Sequence, residues 1–223
     1  MGEQYQKAKK RGERAMSQNK ARGEDPYLPS LADLIDENSG MSSTYLGTFE
    51  IPAERIIGTR TRGRQNAFAC NYMPILDELT EFESKWTNLY HAQIHEGIRD
   101  AVKVYEYLGN FYVEEGNKRV SVLKYLEQPD LTADVIRLLP KGLSETYFRF
   151  TEALKAKAPE EAVENAGDSF LVYLTVYPLE SILYDSKELL AERVAKLRTE
   201  MVSAVSEENI HVVDHPAQVI HDV

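Results

Sequence analysis

The 223 residues predict an α+β fold, with strands and helices mixed in the centre and helices filling the C-terminal third. Three observations carry that prediction. Residues 101–113, AVKVYEYLGNFYV, place two β-rich runs (101–107 and 111–113) on either side of Gly109-Asn110, the composition of a hairpin. Gly116 then separates the second run from a stretch ending at Leu126, in which Val120, Leu123 and Val122, Leu126 recur at helical spacing. After Pro140-Lys141-Gly142 the apolar residues again follow a helical period.

Taken in order, residues 3–22 read as a polar, basic helix ended near Gly23. It packs through a narrow stripe (Tyr5, Ala8, Ala15) or lies loosely on the surface. Residues 25–38, DPYLPSLADLIDEN, read as a proline-initiated short helix with Leu31, Leu34 and Ile35 on one face. Thr44–Ile51 alternates as a strand. Residues 78–96 predict a helix with Leu79, Phe82, Trp86 and Leu89 as its apolar stripe, and residues 132–139 a strand. Helices are expected over 144–157, 168–177 and 186–205. The last opens on Asp185 and Glu188 and carries Leu190, Val194, Leu197, Met201 and Val205 as its stripe. The expected division is an N-terminal helical extension (1–43), a central domain (44–142), a helical region (143–206) and a tail or linker (207–223).

Composition narrows the function classes. Hydrophobic residues make up 43% of the chain, enough for a core, and no apolar run approaches the roughly 20 residues that span a bilayer. The basic N-terminus has no apolar segment behind it, so it is not a secretory signal. One cysteine, Cys70, excludes an intrachain disulfide framework, and the expected location is a bacterial-type cytoplasm. Residues 1–64 carry 11 Lys/Arg against 9 Asp/Glu, whereas residues 143–223 carry 7 against 15. Such an acidic region is a poor surface for duplex DNA, whose binding rests on neutralising phosphates; contact with DNA would have to come from the N-terminal half.

The candidate site is the Gly116 turn. A strand, a glycine, and a helix opening on Asn117, Lys118 and Arg119 aim unpaired backbone N–H groups and two cations at one point, as phosphate binding requires. Glycine suits such a turn because bringing successive N–H groups together often needs positive φ. An ordinary strand-to-helix connection with two solvated basic residues fits the same stretch. Arg60, Arg62 and Arg64 alternate in TRTRGRQNAF; extended, they would face one side and supply further anion contacts, and otherwise they form a solvated basic loop. Gly58 and Gly63 have the interval of a P-loop, but Arg64 and Gln65 stand where lysine and Ser/Thr belong, so that motif is rejected. His91 and His95 are spaced i, i+4 without a third ligand and read as a surface pair; no metal site is assigned.

Residues 45–139 resemble the ParB/sulfiredoxin superfamily, whose ParB-like N-terminal domain is a small mixed sheet with helices. Gly97-Ile98-Arg99-Asp100-Ala101-Val102-Lys103-Val104 resembles the first box of that family, with Ala101 where proline is usual. Glu115-Gly116-Asn117-Lys118-Arg119 resembles the second box, which in the family binds nucleotide phosphates, Arg119 matching the family arginine. The order Pro26-Tyr27-Leu28-Pro29, IIGTRTRGRQNAFACNYMPILD, EFESKWTNLY and FYVEEGNKRVSVLKYL is also similar to a bacterial ParB-like region that precedes a basic-membrane-protein-type substrate-binding domain. That second domain has no counterpart in these residues, so a stand-alone or truncated leading module is expected. Asn117 occupies the place of the sulfiredoxin catalytic cysteine, which argues against sulfinic-acid reduction. Glu164-Asn165 lacks the arginine of the later Glu-Asn-x-x-Arg motif of partition proteins, and Glu115 matches the acidic residue of the free-serine kinases.

The resemblance implies a nucleotide-phosphate-binding protein, with CTP or ATP as ligand, Mg²⁺ as companion, and slow hydrolysis or phosphotransfer. Gly116, Asn117, Lys118 and Arg119 would cradle the phosphates, Arg60, Arg62 and Arg64 would add charge, Gly97 and Ile98 would form a nucleotide loop, and Glu115 would be the catalytic carboxylate. Two alternatives stay open. One is a DNA-associated partition or regulatory protein; the other is a non-catalytic module binding a partner protein, or a second copy, through the C-terminal helices.

Overall fold

The computed structural model describes residues 2–35, 40–139, 144–156 and 161. The chain divides into two compact units, Met1–Lys141 and Gly142–Val223. The first is a five-stranded mixed sheet with helices, the α+β class expected.

Helix α1 (Glu3–Arg22) ends where Gly23 takes φ 75° and returns its N–H to the carbonyls of Asn19 and Lys20. It packs rather than floats: Tyr5, Ala8 and Gly12 are buried, while Ala15 is only half-buried. Gly12 is needed for the close approach, since a Cβ there would lie 2.9 Å from the Pro74 carbonyl oxygen. The expected helix over 25–38 shrinks to one turn, α2 (Leu31–Leu34), after the proline-rich approach. Leu31 is buried, but Leu34 is 55% exposed, so the supposed apolar face is not a packed one.

The sheet is formed by β1 (Ser42–Pro52), β2 (Ile56–Thr59), β3 (Val102–Tyr107), β4 (Asn110–Glu115) and β5 (Asp130–Leu139), in the order β1-β5-β3-β4-β2. β1 runs antiparallel to β5 through ten paired positions, with an irregularity at Tyr45/Gly47; β3 pairs in parallel with β5, and β2 in parallel with β4. The β3–β4 hairpin turns on Leu108-Gly109 (φ 51° and 79°), one residue earlier than the Gly109-Asn110 turn expected. Glu106 reaches into that turn and accepts the Gly109 N–H at 2.7 Å. Its other oxygen meets Arg137 at 3.0 Å, and both side chains are fully buried. Burial raises the Glu106 carboxyl above its ordinary value, and Arg137 opposes the rise.

Helix α3 (Glu81–His95) begins later than position 78. Thr80 caps it by accepting the Glu83 N–H, and Glu83 accepts the Leu79 N–H in return. Leu79 therefore lies outside the helix, at φ 61° and 99% exposed, and leaves the predicted stripe. Trp86 is the centre of the helical layer. It stacks on Tyr90, meets the edges of Tyr5 and Tyr125, and donates its indole N–H to Ser121 at 2.9 Å. Ser121 sits on α4 (Asn117–Tyr125), whose Val120, Val122 and Leu123 are buried as the spacing predicted. The aromatic cluster thereby fixes α4, and with it the Gly116 turn.

In the second unit, α5 (Ser144–Lys155) lies within the expected span and buries Tyr147 and Phe150. The expected helices at 168–177 and 186–205, the tail and Glu164-Asn165 lie outside the described residues. No helix among the described residues is long and apolar enough to cross a membrane.

Candidate functional site

Gly116 takes φ 101° as the residue that caps α4. A Cβ there would stand 2.8 Å from Val102 Cγ1, so both conformation and space call for glycine. The β3–β4 pairing, with Lys103 opposite Glu115, brings the two sequence boxes side by side. Arg119 ties them together: its Nη1 donates to the carbonyls of Asp100 and Ala101, each at 2.9 Å. Both acceptors are uncharged backbone carbonyls.

Asn117 is buried under the turn. The Tyr72 hydroxyl donates to the Gly58 carbonyl at 2.6 Å and lies 3.2 Å from Asn117 Oδ1. Tyr72 thus links β2 to the start of α4, and its deep burial raises its hydroxyl well above the ordinary value. No sequence motif marked Tyr72; it comes from the irregular stretch after Ala69 and itself sits at φ 68°.

The turn opens into a cleft of about 510 Å³. Glu114, Glu115, Gly116, Asn117, Lys118 and Arg119 line one part of it; Arg64 and its neighbours Gly63 and Asn66 line another. The remainder is apolar, with Phe82 and Leu89 from α3 joined by Phe68 and Leu76. Phe82 and Leu89 were on the predicted apolar stripe, but they are only half-buried, because the cleft opens beside them.

The three alternating arginines do not act as a set. Residues Arg62–Ala67 form a 3₁₀ helix instead of continuing the extended chain from β2, so the side chains diverge. Arg60 pairs with Glu114 at 3.3 Å and lies over the Tyr105 ring, 3.8 Å from its centre. Arg62 is bound to Asp33, which also accepts from Gln65 and is held below the ordinary carboxylate value by those two hydrogen bonds. Arg64 alone lines the cleft, and among the described residues no carboxylate lies within 4 Å of its guanidinium.

Lys118 also lacks a carboxylate partner among the described residues. Its ammonium rests over the Phe82 ring, 4.7 Å from the centre. Burial, with the charges of Lys85 and Arg64 nearby, lowers its value from that of an ordinary lysine, and Glu81 partly offsets this. Glu114 is shared between Arg60 and Lys103, the latter at 2.7 Å, whereas Glu115 is exposed at the rim.

Gly97 and Ile98 are not among the residues lining the cleft. Gly97 (φ 77°) closes the end of α3 with its N–H on the Ala92 carbonyl, and the Ile98 N–H donates to Gln93 at 2.6 Å. Their place in the fold is a helix C-terminus. His91 and His95 stack with ring centres 6.3 Å apart, and the described residues contain no group of three or more metal-ligating side chains. No family model matches the sequence and no curated protein matches it, so ParB/sulfiredoxin membership is an expectation drawn from the residues quoted above and not a finding of these comparisons.

Proposed function

We propose that the Met1–Lys141 unit is a nucleotide-phosphate-binding module of ParB-like type, holding the phosphates of CTP or ATP at the Gly116 turn. One observation carries the reading: Arg64 and Lys118 face the same cleft as the α4 N-terminus, and neither has a carboxylate partner among the described residues. Unspent cations beside a helix N-terminus favour a polyanion over a neutral ligand. Arg119 adds charge from its fixed position, while Arg60 and Arg62 act in structure. Gly116 and Asn117 supply the turn itself.

Turnover is the second part of the proposal. Glu115, exposed at the cleft rim, is the carboxylate available to orient Mg²⁺ or accept a proton in slow hydrolysis or phosphotransfer. Glu114 is already shared by two cations, so a metal would be held chiefly by the nucleotide phosphates. The reading includes a cytoplasmic setting, for which a lone free Cys70 is the support.

Titration with CTP, ATP and pyrophosphate, with and without Mg²⁺, tests the binding. Lys118→Gln with Arg64→Gln should abolish it and leave the fold intact. Arg119→Ala is a poorer probe, because it also removes two hydrogen bonds that hold the start of β3. Binding that survives the double substitution overturns the assignment. Glu115→Gln should retain binding and lose any phosphate release.

A further inference from the structure

Resting on that reading, we infer that the apolar part of the cleft, which includes the Phe82 ring, seats the aromatic base of the nucleotide. The cleft has two chemistries. Its lining offers the Gly116 turn and the cations Arg64 and Lys118, and next to them Phe82 and Leu89 on α3 with Phe68. A ligand made of phosphates alone would satisfy the polar groups and leave the apolar side chains in water. A nucleoside phosphate satisfies both, and a volume of about 510 Å³ lies within the range of small-ligand sites.

Phe82 is built to present a ring. Phe68 meets it edge-on at 5.5 Å and Tyr5 at 6.3 Å, which fixes its plane, and it is only half-buried because the cleft opens beside it. The Lys118 ammonium now rests over that ring. A cation over an aromatic face at a partly exposed site is held more weakly than an ammonium hydrogen-bonded to a phosphate. A phosphate at the turn therefore draws Lys118 off and leaves the ring for a base to stack on. Phosphate capture and base seating are coupled through one side chain, and each half of the ligand assists the other.

Electrostatics alone predicts a different ranking. Inorganic tripolyphosphate carries at least as much negative charge as a nucleoside triphosphate, so a site that reads only charge binds it as tightly or more tightly. Calorimetric titration of the full chain with CTP, ATP and tripolyphosphate, at equal Mg²⁺, separates the two cases. The expected result is that one of the nucleotides binds at least about tenfold more tightly than tripolyphosphate, the scale of one base–aromatic stack. In Phe82→Leu, which keeps an apolar side chain and removes the ring, that advantage should vanish while tripolyphosphate binds at least as tightly as before, since Lys118 no longer has the ring to leave. Tripolyphosphate binding as tightly as both nucleotides to the unaltered chain overturns the base seat and leaves the phosphate reading standing. A nucleotide advantage that persists in Phe82→Leu places the base elsewhere and overturns the seat. Failure of all three to bind overturns the phosphate reading and the seat together.

Discussion

Two sets of charges in the Met1–Lys141 unit are treated in opposite ways. Inside the sheet, Glu106 and Arg137 are fully buried and 3.0 Å apart, and Glu106 also accepts the Gly109 N–H of the hairpin turn. At the Gly116 turn, Arg64 and Lys118 stand in an open cleft without a carboxylate partner among the described residues. The first pair is committed to the fold, because a buried charge without its partner is strongly destabilising. The second pair has no such partner among the described residues, and in the proposed function it is held for a ligand. Counting cations would not separate these roles; knowing where each is neutralised does.

The largest effect that could break the comparison is at the buried pair. Glu106→Gln or Arg137→Met should cost about 3–5 kcal/mol, read from urea denaturation, because either leaves a charge in the interior. A change under about 1 kcal/mol would mean that the pair is not a structural element. Gly116→Ala comes next. Forcing a Cβ into φ 101° against Val102 should cost about 1–3 kcal/mol and also weaken nucleotide binding, since the turn must shift. Loss of stability with binding intact would detach the turn from the site.

A third prediction concerns a cation of intermediate kind. Lys124 is held down to about 8 by burial, against an ordinary 10.5, and lies 5.4 Å from the centre of the Tyr72 ring. Between those two pH values the unfolded chain binds the extra proton at this residue, so the Lys124 contribution to stability rises with pH across that window and is flat below it. Lys124→Met should remove the rise. Urea midpoints of the two chains at about pH 7 and about pH 10 check this, and an equal slope in both would contradict it. The smallest effect on the fold is expected from Arg64→Gln, whose ligand-free melting temperature should stay within a few degrees of the parent while its nucleotide affinity falls.

How much of this was legible in the sequence depends on range. The Gly116 turn, α4, the hairpin and strands β1 and β5 follow from local periodicity and glycine placement, and the structure keeps them with shifts of one or two residues, whereas the short edge strand β2 was not expected. The start of α3 was also readable, since Thr80 followed by Glu83 is a capping signature that competes with the apolar pattern beginning at Leu79. The sheet order was not readable, because β1 meets β5 across 78 to 97 residues and alternation specifies a face rather than a neighbour. The arginines misled for a related reason. Alternation at Arg60, Arg62 and Arg64 is compatible with an extended chain, but Asp33 and Glu114 capture two of them and a 3₁₀ helix turns the third toward the cleft. The apolar part of the cleft was hidden inside the three stripe residues that the helix keeps, since Phe82 and Leu89 share their helix face with Trp86 and differ from it only in what lies opposite.

The most direct test is a thermal-shift comparison of the parent chain and the Arg64→Gln/Lys118→Gln double variant with CTP, ATP and pyrophosphate. Ligand at about 100 times its dissociation constant should add roughly 2.7 kcal/mol to the parent, a shift of several degrees. The predicted result is such a shift with a nucleotide in the parent and none in the variant, with the two ligand-free chains melting alike. No shift with any of these ligands, or a shift the double variant retains, would contradict the claim that the unpaired cations of the cleft are held for a phosphate.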